Sequence, residues 1–171
     1  MRLPNVIATA LVPLLLDAYA RTSLKPTSGQ DSRLRSILRS YPFWGNGHQR
    51  LGEAALAAGD VATAYASGQA AKILSDGKPR ARAKALHLLG RCFLARGEWQ
   101  VALELLREAH GLTPSDSRIK QDEAAALMLG GDNLTALSLL STIPEDMLTA
   151  DGKAARLYLQ GKQQTTASNR Q

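Results

Sequence analysis

From Phe43 onward the chain repeats one alternation. A helix-length run with apolar residues three and four apart ends in a short break at glycine, and a second such run follows. Gly52 stands seven residues before Gly59, Gly90 seven before Gly97, and Ala124 seven before Gly131. Five residues beyond each later glycine comes an alanine: Ala64, Ala102 and Ala136. The three break glycines lie 38 and 34 residues apart. A self-similar period of this size marks a series of helical hairpins that bury their apolar faces on one another.

The pattern predicts three such hairpins. The first has helices near 44–57 and 61–74, the second near 80–95 and 99–111, the third near 117–129 and 134–142. Gly59, Gly97 and Gly131 should take the left-handed conformation that closes a helix. Asp60, and Ser115 or Asp116, are placed to cap the helix that follows. Lys78-Pro79, Thr113-Pro114 and Ile143-Pro144 end the hairpins. Gly52, Gly90 and Ala124 are small because the helices of a hairpin cross beside them, and Ala64, Ala102 and Ala136 serve the same crossing. Upstream, SRLRSILRS over 32–40 predicts a short helix with Leu34, Ile37 and Leu38 inward and Arg33, Arg35 and Arg39 outward. A last helix is expected over 150–161, with a polar outer face. Residues 162–171 are expected to be unstructured.

Residues 3–16 carry no charge. That run is too short to span a bilayer, which takes about 20 residues. Three readings stay open for 1–20: a signal or membrane-anchor segment, with cleavage conceivable after Ala18-Tyr19-Ala20, a helix packed on the end of the repeats, or an interfacial helix. Residues 21–31 read as a linker. The domain plan is therefore 1–20, 21–31, a helical repeat domain over 32–161, and a tail over 162–171.

Composition supports close helix packing: 44% of residues are hydrophobic but only 5% aromatic, and alanine and leucine carry the apolar weight. The formal charge of +6 favours acidic partners. The single cysteine, Cys92, excludes an intrachain disulfide and a thiolate zinc site, and its apolar neighbours mark it as buried and inert. His48, His87 and His110 have no ligand-like partner three or four residues away, so no metal and no cofactor is expected. Gly45-Asn46-Gly47 follows no strand and is not a phosphate loop. Asp122-Glu123, beside Lys120, reads as a solvated helix face. No nucleophile stands with a base, so the chain reads as non-catalytic. Phe93 and Trp99 read as core and Trp44 as partly exposed. Basic residues are not interleaved with aromatics, which argues against nucleic acid.

Leu86, Leu89-Gly90, Phe93, Gly97, Trp99, Ala102, Leu106, Ala109 and Pro114 stand in the register of the tetratricopeptide repeat, and the middle hairpin resembles that family most closely. His48, Leu51-Gly52, Ala55, Gly59, Ala64, Gly68 and Ala71 repeat the match, and Ala124, Leu127, Gly131, Ala136 and Leu140 do so more weakly. The resemblance covers about 45–148. It implies an all-α fold, a right-handed α-α superhelix of antiparallel hairpins whose first helices line a concave groove. Carried across, the groove positions are Gln49, Glu53, Lys84, His87, Arg91, Arg118 and Gln121. The implied function is a protein-binding module, an adaptor or assembly factor for an acidic protein or peptide, membrane-associated or exported through 3–20. The alternatives are a cytoplasmic location and a basic structural subunit of a larger complex.

Overall fold

The structure is a computed structural model that describes residues 30–168. The expected apolar segment 1–20, most of the linker 21–31 and residues 169–171 lie outside the described residues. The described chain is all-helical, with no strand. Its elements are α1 (Gln30–Ser40), α2 (Gly45–Ala57), α3 (Val61–Ile73), α4 (Pro79–Ala95), α5 (Trp99–Leu112), α6 (Ser117–Leu129), α7 (Asn133–Ser141), a 3-10 turn at Glu145–Met147, and α8 (Ala150–Ser168). The pairs α2–α3, α4–α5 and α6–α7 are the three predicted hairpins, each bound within one residue of its expected position.

The three hairpin turns share one hydrogen-bond design. Gly59, Gly97 and Gly131 take φ of 81°, 76° and 84°. Each donates its backbone N–H to the carbonyl three residues back, on Leu56, Leu94 and Met128, at 3.0, 3.0 and 3.1 Å. The next residue then donates to the carbonyl five back: Asp60 to Ala55, Glu98 to Phe93 and Asp132 to Leu127, at 2.8, 2.9 and 2.9 Å. This pairing satisfies the last carbonyls of the helix and needs a residue without a Cβ penalty at positive φ. Two of the three turns add an aspartate cap. Asp60 Oδ1 accepts from the Thr63 N–H at 3.0 Å, and Asp132 Oδ1 from the Thr135 N–H at 3.1 Å. The threonine hydroxyl and backbone amide hold each carboxyl below its ordinary value.

Packing follows chain order. Each helix packs chiefly on the next, and the first helices of successive hairpins, α2, α4 and α6, also touch in turn. The crossings use the small residues that the pattern singled out. A Cβ on Gly52 would collide with Leu88, and one on Gly90 would sit 2.7 Å from Leu106 Cγ. Ala64, Ala102 and Ala136 are fully buried opposite them. The core is therefore a succession of small clusters, from Leu34, Leu38, Trp44 and Leu51 at one end to Leu137, Leu140, Ile143 and Leu159 at the other.

Three expectations are corrected here. Trp44 is core, at 4% exposure, because α2 begins with Gly45-Asn46-Gly47 and the indole lies over Gly47, where a side chain would collide. The tail is also helical where it was expected to be unstructured: α8 runs on to Ser168. Lys162 and the two glutamines after it favour helix. The Lys162 ammonium sits 5.9 Å over the Tyr158 ring, and Thr165 Oγ1 donates to the Gly161 carbonyl at 2.9 Å. The outer face of α8 departs from its polar expectation too: Leu159 is the buried contact, and Leu157 and Tyr158 point to solvent.

Candidate binding cleft

A cleft of about 770 Å3 lies between α4 and the start of α8 with α6 as its floor. Four of the seven expected groove residues line it: His87 and Arg91 from α4, and Arg118 and Gln121 from α6. They meet because α4 and α6 pack side by side one period apart. Ala125, Met128, Leu129 and Ala155 make the apolar wall.

The remaining three residues are elsewhere. Gln49 Nε2 donates to Glu53 Oε1 at 2.8 Å and to the Lys84 carbonyl at 3.3 Å, tying α2 to α4. Gln49 and Lys84 line a separate recess of about 170 Å3 beside Phe43 and Trp44, and Glu53 lines neither space. Of the expected groove residues, Gln49 is thus engaged in a bridge between α2 and α4.

Gln121 is a wall of the cleft with no free hydrogen-bonding capacity. It is 8% exposed. Its Nε2 donates to the carbonyls of Ser117 and Met147, at 3.1 and 3.3 Å. Its Oε1 accepts from the Thr149 N–H and Oγ1, both at 2.8 Å. Those four bonds exhaust a carboxamide. Thr149 Oγ1 in turn accepts from the Gly152 N–H at 3.1 Å, capping α8. A Cβ on Gly152 would meet Gln121 Oε1, so glycine there leaves room for the carboxamide in this position. Gln121 is therefore the clamp that seats α8 on α6.

Asp122 and Glu123, expected on a solvated face, are partners of histidines. His87 Nε2 lies 2.6 Å from Asp122 Oδ2, and Arg91 Nε lies 3.7 Å from the same oxygen. One residue on, Glu123 reaches the other neighbour of α6. It accepts from His110 Nδ1 at 2.7 Å and stands 3.6 Å from Arg107 Nε, at only 7% exposure. Adjacent positions on a helix point about 100° apart, so one carboxylate serves α4 and the other α5. The first pair had a readable signal: His87 and Asp122 are 35 residues apart, one repeat period. The second joins α5 to α6 across their connection, and no local spacing marks it.

Arg118 is the free cation of the cleft, making no side-chain ion pair among the described residues. Arg91 is loosely held, and the acid that opposes it, Asp122, is engaged by His87. Asp151 sits in the first turn of α8, where the helix dipole favours it. Cys92 is fully buried between the hairpins, and burial pushes its thiol up against the pull of Arg91 and Arg96. The lining of the cleft thus holds the guanidinium groups of Arg91 and Arg118, the carboxylates of Asp122 and Asp151, and an apolar wall. With Asp122 engaged by His87, Arg118 is left to meet a ligand carboxylate beside the apolar wall. No protein-family profile and no curated protein matches this chain.

Proposed function

We propose that the chain is a non-catalytic, tetratricopeptide-like binding module, a short superhelix of hairpins that receives an acidic segment of a partner protein in the cleft between α4, α6 and α8. The observation that carries this reading is the unpaired Arg118 beside an apolar wall, in a cleft of a size suited to an extended segment with one buried side chain. The repeat reading draws on three turns of one backbone hydrogen-bond pattern at Gly59, Gly97 and Gly131, and on crossings built from Gly52, Gly90, Ala64, Ala102 and Ala136. In this role the module acts as an adaptor or assembly factor. Arg118 and Arg91 supply charge-assisted hydrogen bonds to carboxylates, and Ala125, Met128 and Leu129 supply the apolar contact.

A second reading is favoured by one observation. Leu157 and Tyr158 on the terminal helix are 67% and 59% exposed, a face suited to burial in a larger complex as a structural subunit. One experiment separates the two. Acidic peptides, each with one large apolar residue, are titrated by fluorescence anisotropy into the wild-type chain, Arg118→Glu and Leu157→Ser. The cleft reading expects affinity to fall about tenfold or more in Arg118→Glu alone. Equal affinity in wild type and Arg118→Glu sinks it.

A further inference from the structure

A different surface of the molecule joins exposed apolar side chains to unpaired cations. The α1–α2 connection and the end of α3 adjoin: the Cβ position of Gly45 lies 3.2 Å from Leu74 Cβ, and Phe43, Leu74, Lys78 and Lys84 line one shallow recess. Phe43, in the lining of this recess, is 85% exposed, and Tyr41, two residues before it, 45%. Lys78 and Lys84 make no side-chain ion pair among the described residues. The acid nearest Lys78 in sequence is Asp76, whose Oδ1 is occupied by the Gly77 N–H at 3.1 Å.

The shape of the edge selects its partner. Its recess, about 170 Å3, falls below the roughly 300 Å3 at which ligand pockets begin. What it offers is projecting: an exposed aromatic side chain on the α1–α2 connection beside two lysines. Such groups partition into the headgroup layer of a bilayer, with cations meeting phosphates and apolar tips reaching the acyl boundary. The chain upstream adds a second argument. Residues 3–16 carry no charge, and residues 17–29 join them to α1 with an extended reach on the order of 40 Å. No helix among the described residues is long and apolar enough to cross a membrane. A surface contact therefore suits the folded part.

We propose that this edge rests on an anionic lipid bilayer, with Phe43 entering the headgroup layer and Lys78 and Lys84 meeting lipid phosphates. The contact uses none of the cleft residues His87, Arg91, Arg118 or Gln121, so it stands or falls separately from peptide binding.

The test uses the full chain and vesicles of phosphatidylcholine with or without phosphatidylglycerol. Phe43→Trp and Leu157→Trp place an indole at two exposed sites, the second on α8. Lipids brominated near the headgroup then report insertion, read against the parent protein with its own Trp44 and Trp99. The expected result is added quenching in Phe43→Trp on phosphatidylglycerol vesicles and none in Leu157→Trp. The double variant Lys78→Glu, Lys84→Glu should also bind these vesicles about tenfold more weakly while keeping its helical circular dichroism. A chain held by residues 3–16 alone gives no added quenching at position 43 and no effect of the lysine reversals. Either of those results, or failure of the chain to bind anionic vesicles, overturns the proposal.

Discussion

Single glycines divide the constraints of this fold between space and backbone. Gly97 has open space around it and is needed for its φ of 76°. Gly90 lies within a helix, and its constraint is the Leu106 side chain packed where a Cβ would stand. Substitution Gly90→Leu should cost about 1–3 kcal/mol or more, because backbone and Leu106 must both shift. Urea unfolding followed by circular dichroism measures this, and an unchanged midpoint refutes the close crossing. The same scale shows why Glu123 was misread. A carboxylate beside a lysine on a helix is usually solvated. Burial here is tolerated because His110 donates to one oxygen and Arg107 stands near the other.

Helices in this chain carry clear boundaries because each end has its own chemistry. Turn glycines, aspartate caps, and the proline at the start of α4 stop or start the chain without tertiary help. The end of α8 lacks any such signal. No proline and no turn cluster interrupts the chain after Gly161, so the helix continues to Ser168. Its beginning depends instead on Gln121, which lies on another element. Gln121→Ala removes acceptors for Thr149 and leaves the Met147 carbonyl unpaired. It should cost about 1–3 kcal/mol. It should also speed amide exchange at Thr149, Gly152 and Lys153 well above the rate in α4. Unchanged exchange there means that α8 is seated by Leu159 and Ala155 alone.

The molecule as a whole holds together by contacts between neighbours. The hairpin α4–α5 is covered on one side by α2 and α3 and on the other by α6, whereas α1 packs mainly on α2 and α8 mainly on α7. Stability in such an arrangement is a sum of local and nearest-neighbour contributions, so it is greatest in the middle. Amide exchange under native conditions should be slowest in α4 and α5 and fastest in α1 and α8. Uniform protection across all eight helices contradicts this and requires contacts that bypass chain order.

Helix positions, turns and crossing residues were legible in the sequence because they rest on periodicity, positive φ and side-chain volume, each set by a residue and its near neighbours. His87, Arg91 and Arg118, put on one face by the resemblance to a known repeat, line one cleft because α4 and α6 pack side by side. Tertiary structure decided the rest. It turned Gln121 from a groove contact into a clamp, because only the folded chain brings Met147 and Thr149 to its amide. It tied Gln49 to Glu53 and to the Lys84 carbonyl. It sent Asp122 and Glu123 to different helices, buried Trp44 and left Phe43 outside. These outcomes depend on which atoms meet across elements, and hydrogen-bond saturation and burial are properties of that meeting rather than of the residues themselves.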